Sequence, residues 1–155
     1  AMPDHERRAF EGERRHHLRR ALELYDQARQ GIESRDPREL TGVDREYLRN
    51  TYFYIGATAF DLGDFEAAIS HYNTARERFP KDPSSLVAMI QIVHAHMEQG
   101  QLQSARTANE RAKRFYDSLP PEVWDDPRLP MRRSDWERWL DLSARLDGRA
   151  DAGGS

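Results

Sequence analysis

A chain of 155 residues, 37% apolar and 33% charged with a formal net charge of −3, has room for one modest core beneath a large solvated surface. The near balance of charge excludes a strong general attraction to nucleic acid or anionic membranes. The lack of cysteine excludes disulfide frameworks, Cys-based zinc sites and thiol nucleophiles, and no stretch approaches the roughly 20 apolar residues of a membrane helix.

Ala1-Met2-Pro3 has no apolar signal region and reads as an appended start in front of an internal segment. Helix-period patterns then follow one another, with no convincing strand alternation. The first runs over about residues 6–31, with Leu18, Leu22, Tyr25, Ala28 and Ile32 recurring at three- and four-residue steps. Gly12 is a candidate interruption within it, and Arg35-Asp36-Pro37 ends it, because the residue before proline disfavours helix. Asp44 is the expected N-cap of the second pattern, about residues 44–62, which stops at Gly63-Asp64. The third, 65–79, stops at Pro80-Lys81-Asp82-Pro83; the fourth starts near Ser84 and ends at Gln99-Gly100; the fifth, from Leu102 to about Ser118, is halted by Pro120-Pro121. Glycine ends the second and fourth because it enters the left-handed conformation of a C-terminal cap. Pro120, Pro121, Pro127 and Pro130 keep residues 119–133 out of regular helix, while Trp124, Leu129 and Met131 pack that loop on the surface. Ser134-Asp135-Trp136-Glu137 has the spacing of a capping box, opening a helix whose Trp136, Trp139, Leu140 and Leu146 form an apolar face that must be buried.

Comparing the chain with itself gives the strongest signal. Tyr52, Ile55 and Gly56 are followed by Leu62-Gly63-Asp64-Phe65-Glu66-Ala67-Ala68-Ile69, then Tyr72, Ala75 and Pro80. Gly56, Ala68 and Ala75 are small where two antiparallel helices come close, Gly63-Asp64 makes the tight turn, and Pro80 closes the unit. Over residues 49–82 this resembles the tetratricopeptide repeat, with Ala59 in place of the family's usual tyrosine. A longer, weaker copy over 83–118 is anchored by Gly100, Ala105 and Ala112, with Val93 at the place of Gly56 and Asn109 at that of Tyr72. Ala21, Leu22, Tyr25 and Ala28 match the second helix of a unit, so residues 5–32 are either a partial repeat or one long N-terminal helix. The expected fold is all-α: antiparallel helix pairs in a short right-handed superhelix, a single domain over 1–148 with a capping helix at 134–146 after the Pro-rich loop, and a disordered tail at 149–155. The unequal spacing and Arg78-Phe79-Pro80-Lys81-Asp82-Pro83 also look like repeats of bacterial envelope-assembly and cell-envelope coordinator proteins. The arginine bias, with only Lys81 and Lys113 as lysines, and the run from Ser84 to Val93 are similar to segments of large planctomycete-type proteins. Both likenesses imply a domain cut from something longer.

The resemblance implies that the first helix of each pair lines a concave groove. That points to Asn50, Phe53, Tyr54, Ala57 and Asp61 in one unit and Ile90, Gln91, His94, Met97 and Glu98 in the next. Such a face suits an extended peptide or an amphipathic helix. Two readings stand side by side: the groove is open to a partner, or it is filled by the chain's own Trp136–Trp139 helix. Trp124, Trp136 and Trp139 likewise seal the end of the stack or form a binding hot spot. A clamp for a C-terminal carboxylate is disfavoured, since neither groove helix offers lysine.

His94 and His96, two apart on a helix, diverge, as do His16 and His17, and His71 is alone on its helix, so no metal site is expected. Arg7, Arg8, Arg14, Arg15, Arg19 and Arg20 interleave with Asp4, Glu6, Glu11 and Glu13, the pattern of an ion-paired solvated face. With no Gly-rich phosphate loop, nucleophile elbow or convergent acid pair, neither enzyme nor cofactor is expected. The leading reading is a scaffold or adaptor that binds a protein or peptide; the alternatives are a structural homo-oligomerisation module and, less favoured, a nucleic-acid adaptor using the N-terminal arginines. The chain is expected to be soluble and without membrane insertion, either cytoplasmic or envelope-associated through a larger parent.

Overall fold

The computed structural model describes residues 2–150, with side chains through residue 142. It contains α1 (Asp4–Glu33), α2 (Gly42–Asp61), α3 (Phe65–Arg78), α4 (Ser84–Glu98), α5 (Leu102–Ser118) and α6 (Arg133–Ala150), with short 3-10 turns at Pro37–Glu39 and Pro121–Asp125. No strand occurs among the described residues. The chain divides into two compact units, residues 1–79 and 80–155. In the first, α2 packs against both α1 and α3; in the second, α5 packs against α4 and α6.

At the N-terminus, α1 spans the whole of the first periodic segment. It is one continuous helix of 30 residues, about 45 Å long at 1.5 Å per residue, and no separate first turn exists. Gly12 does not interrupt it, because a lone glycine costs only about 1 kcal/mol in a helix. Every residue from Asp4 to His17 is exposed, whereas Leu18, Leu22, Tyr25, Ala28 and Ile32 are half-buried, so only the C-terminal half is a packing face.

α2 starts earlier than Asp44. Thr41 is the N-cap, its hydroxyl accepting from the Asp44 N–H while the Asp44 carboxylate accepts from the Thr41 N–H, a reciprocal capping box. Both α2 and α4 end in the same hydrogen-bond arrangement. The Asp64 N–H reaches the Ala59 carbonyl and the Gly63 N–H that of Phe60; 37 residues on, the Gln101 N–H reaches His96 and the Gly100 N–H reaches Met97. Gly63 (φ 78°) and Gly100 (φ 70°) supply the left-handed residue this motif requires.

Between α2 and α3 the close approach falls at Gly56. A Cβ there would stand 2.7 Å from Cδ1 of Tyr72, whose ring is buried with Ala68 and Ala75. In the second unit, Leu86 and Ile90 of α4 and Trp136 of α6 form one core cluster, and Met89, Ala112 and Leu140 another. Asn109, at the register of Tyr72, is 2% exposed, and neither of its amide atoms has a hydrogen-bond partner within the protein. An unmade buried hydrogen bond costs about 1–3 kcal/mol. Asn109→Leu is therefore expected to stabilise the chain by about 1–2 kcal/mol, measured by urea unfolding; a loss of stability would mean the amide has a partner after all.

The start of α6 also differs from expectation. The helix begins at Arg133, the Arg132 N–H donates to the Asp135 carboxylate, and Glu137 accepts from the Tyr116 hydroxyl and the Arg133 guanidinium. No Ser134–Glu137 box forms, because Glu137 gains more from these two donors than from the chain behind it. The helix runs through residues 149 and 150, where a tail was expected; 151–155, like the Leu146 side chain, lie outside what the structure describes.

Candidate partner-binding faces

In the first unit the outward face of α2 carries Val43, Tyr47 and Tyr54, which are 78%, 51% and 50% exposed. They lie four and seven residues apart and so share one stripe. Asn50 and Ala57 are half-buried beside it and Asp61 is exposed at the helix end. Tyr54 packs against Tyr25 of α1 in a tilted contact with ring centroids 5.6 Å apart. Phe53 is half-buried and its ring lies 6.2 Å from that of Phe79, so it faces into the unit more than away from it.

Behind this stripe lies a polar network that single-sequence patterns did not reveal. The Tyr52 hydroxyl donates to Glu33, Arg29 lies over the Tyr52 ring, and Arg29 pairs with Asp26 at 2.7 Å and with Glu33 at 3.1 Å. Burial and the Glu33 carboxylate both push the Tyr52 phenol above its usual range. A shallow pocket of about 210 Å³ opens here between Asp26, Arg29, Tyr52, Ile55, His71 and Thr74. The legible hint is the four-residue step from Arg29 to Glu33; the separation of 19 positions from Glu33 to Tyr52 hides the rest.

In the second unit the five α4 candidates divide. Ile90 is 5% exposed and packs with Leu86 and Trp136. His94 is half-buried, its ring 5.4 Å from that of Trp139 in a T-shaped contact. Gln91 is half-buried with an unpartnered Oε1. Met97, 47% exposed, and Glu98 remain at the surface. Within this unit, then, α6 sits over the part of α4 that holds Leu86, Ile90 and His94. Nearby, Trp124 packs on Tyr116 in a tilted contact at 5.1 Å and Arg133 lies over the Trp124 ring, fixing the Pro-rich connection that leads into α6.

Of the repeat-defining residues, Ile55, Ala68, Tyr72, Ala75, Ala105 and Ala112 are buried, Gly56 lies against the Tyr72 ring, Tyr52 is half-buried and Pro80 exposed. Among the described residues no group of three or more His, Cys, Asp or Glu is placed to hold a metal, and no helix is long and apolar enough to cross a membrane. The histidines invite a pH test instead. Burial lowers the His94 pKa below its ordinary 6.5, with Glu98 partly opposing the shift. The unfolded chain therefore binds the proton more readily than the folded one, and stability falls as pH drops below about 6.5 until the folded-state pKa is passed. The melting temperature is expected to be lower at pH 5 than at pH 7, and His94→Gln is expected to flatten that part of the profile. An unchanged slope in the variant would place the pH response elsewhere.

Helix pairs with paired glycine caps, small residues at each crossing and register-matched positions define a helical-repeat protein. The family model for the tetratricopeptide repeat matches residues 47–118, and over that segment the chain carries a domain of this family. Repeats of this family generally mediate protein–protein interaction and act as non-catalytic scaffolds. No curated protein and no solved structure gives a significant match.

Proposed function

We propose that the chain is a non-enzymatic interaction module in which the first helix of each unit, α2 in one and α4 in the other, offers its own face to a peptide or amphipathic helix of a protein partner. The exposed Val43–Tyr47–Tyr54 stripe carries this reading. Tyrosine is a frequent anchor at interfaces because a large ring and a hydroxyl come with only two side-chain torsions to freeze. Asn50 and Asp61 flank the stripe and supply the few polar groups that set orientation. The test is selection from a displayed library of 16-residue peptides. A sequence motif should be enriched on the wild-type chain and lost with the double variant Tyr47→Glu/Tyr54→Glu, folded as judged by circular dichroism. Enrichment that survives in the folded double variant would rule out α2 as the docking face.

Self-association is the second reading, favoured by the exposed N-terminal half of α1 with Phe10 at 61% exposure. Light scattering across a concentration series separates the two, since a strict monomer at high concentration eliminates it.

A further inference from the structure

The second unit already shows what kind of object its α4 face accepts. Leu86, Ile90 and His94 stand at four-residue steps on one side of α4. Against them α6 places Trp136 and Trp139, while Leu140, at i+4 from Trp136, packs beside them on Met89 of α4 and Ala112 of α5. This is an amphipathic helix laid on an apolar helical face, with its anchors at the spacing such recognition uses. The polar fastening is explicit as well: Glu137, next to Trp136, accepts from the Tyr116 hydroxyl.

Three features distinguish this seating from an optimised core. The Trp136 indole is 1% exposed, yet its Nε1 has no acceptor within the protein, so the resident helix leaves a buried donor unmet. Arg133 and Glu137 are 54% and 53% exposed and their ion pair is internal to α6, so the polar tie of the helix to Tyr116 is left to hydrogen bonds open to competition from water. Leu142 on the same helix is 57% exposed, so α6 retains apolar surface that its seat leaves unburied. The segment leading to α6, residues 119–132, carries Pro120, Pro121, Pro127 and Pro130 and one short 3-10 turn. It can release the helix without unravelling α5.

We propose that α6 is an intramolecular ligand of the α4 face, displaced by a partner helix that carries two large aromatic residues and a leucine at i, i+3 and i+4 with an acid at i+1. A partner whose anchor finds an acceptor for its own polar atom, or whose outward apolar residues are also covered, outcompetes the resident helix. Partner binding is thereby coupled to release of α6, and an occupied face declines weaker ligands. The proposal rests on reading these repeats as peptide- or helix-binding, but its probe is drawn from the chain itself, so failure here leaves the α2 face to be judged by its own library test.

The probe is a fluorescent synthetic peptide of residues 131–148, titrated by polarisation into the full chain. The full-length variant Trp136→Ala/Leu140→Ala, whose own helix has lost its anchors, is expected to bind the wild-type peptide at least tenfold more tightly than the wild-type chain does. A peptide carrying Trp136→Ala is expected to bind neither. Equal binding of the wild-type peptide to both chains, with the variant's helicity retained, overturns the proposal. Should the variant unfold, a protease site inserted between Asp126 and Pro127 of the otherwise wild-type chain provides the second arm. After cleavage, excess unlabelled peptide should exchange the C-terminal fragment out on gel filtration. A fragment that stays bound through a hundredfold excess of peptide marks α6 as a fixed cap and overturns the proposal, as does exchange only between copies of the chain.

Discussion

Trp136→Ala is expected to destabilise the chain by about 3–5 kcal/mol, the range for truncating a buried tryptophan. The indole is 1% exposed and shares a cluster with Leu86 and Ile90, with Phe115, Tyr116, Trp124 and Trp139 packed around it. Alanine would leave a cavity that these rings cannot all close on at once. For a unit of this size each kcal/mol is worth about 4–8 °C in Tm, so the drop should exceed about 12 °C in the transition of the second unit. Trp136→Phe keeps most of the volume and removes the unpartnered indole N–H. Because leaving that donor unmet costs about 1–3 kcal/mol, phenylalanine is expected to lose far less than alanine, about 1 kcal/mol or under. Calorimetry on both variants checks the pair; equal losses would mean that packing shape alone, and not the stranded donor, governs the site.

The second large effect is a contrast between two glycines under the same substitution. Gly56→Ala places a Cβ 2.7–2.9 Å from Cδ1, Cε1 and Cγ of Tyr72, and that ring, 4% exposed, has little freedom to give way. Overpacking of this kind costs about 1–3 kcal/mol, against which alanine recovers about 1 kcal/mol of helix propensity. A net loss of about 1–2 kcal/mol is expected, rising to about 3 kcal/mol or more for Gly56→Val, whose branched side chain adds to the clash. Gly31→Ala, in α1 with nothing within 4 Å of the new Cβ, is expected to stabilise by about 0.5–1 kcal/mol. Chemical unfolding of the two variants reads opposite signs. A stabilising Gly56→Ala would mean that α2 and α3 do not approach as closely as the geometry has it.

The two glycines show how much of the fold was legible. Small residues at Gly56, Ala68 and Ala75 and capping glycines at Gly63 and Gly100 are local requirements, and local requirements repeat with the chain. The helix starts were harder. Asp44 and Ser134 both have the chemistry of an N-cap, but Thr41 opens α2 and α6 begins at Arg133. Which polar side chain caps depends on where the backbone turns, and at α6 on the rival donors Tyr116 and Arg133 that reach Glu137. The candidate faces were legible only in part. Their residues follow from helix order, yet Val43 and Tyr47, among the most exposed apolar side chains of α2, precede the repeat over 49–82 and so lie outside the positions it marks.

Composition, periodicity and punctuation alone determined that this is an all-helical repeat protein, where its helices lie apart from the starts of α2 and α6 and the end of α6, and which positions must be small, because each of these follows from interactions within a few turns of chain. Tertiary structure decided what those interactions leave open. It closed α6 over Ile90 and His94, buried Asn109 without a partner, and tied Glu33 to Tyr52 across the α1–α2 packing. Each of these depends on how whole helices, far apart in sequence, pack against one another, and no spacing rule along one chain encodes that.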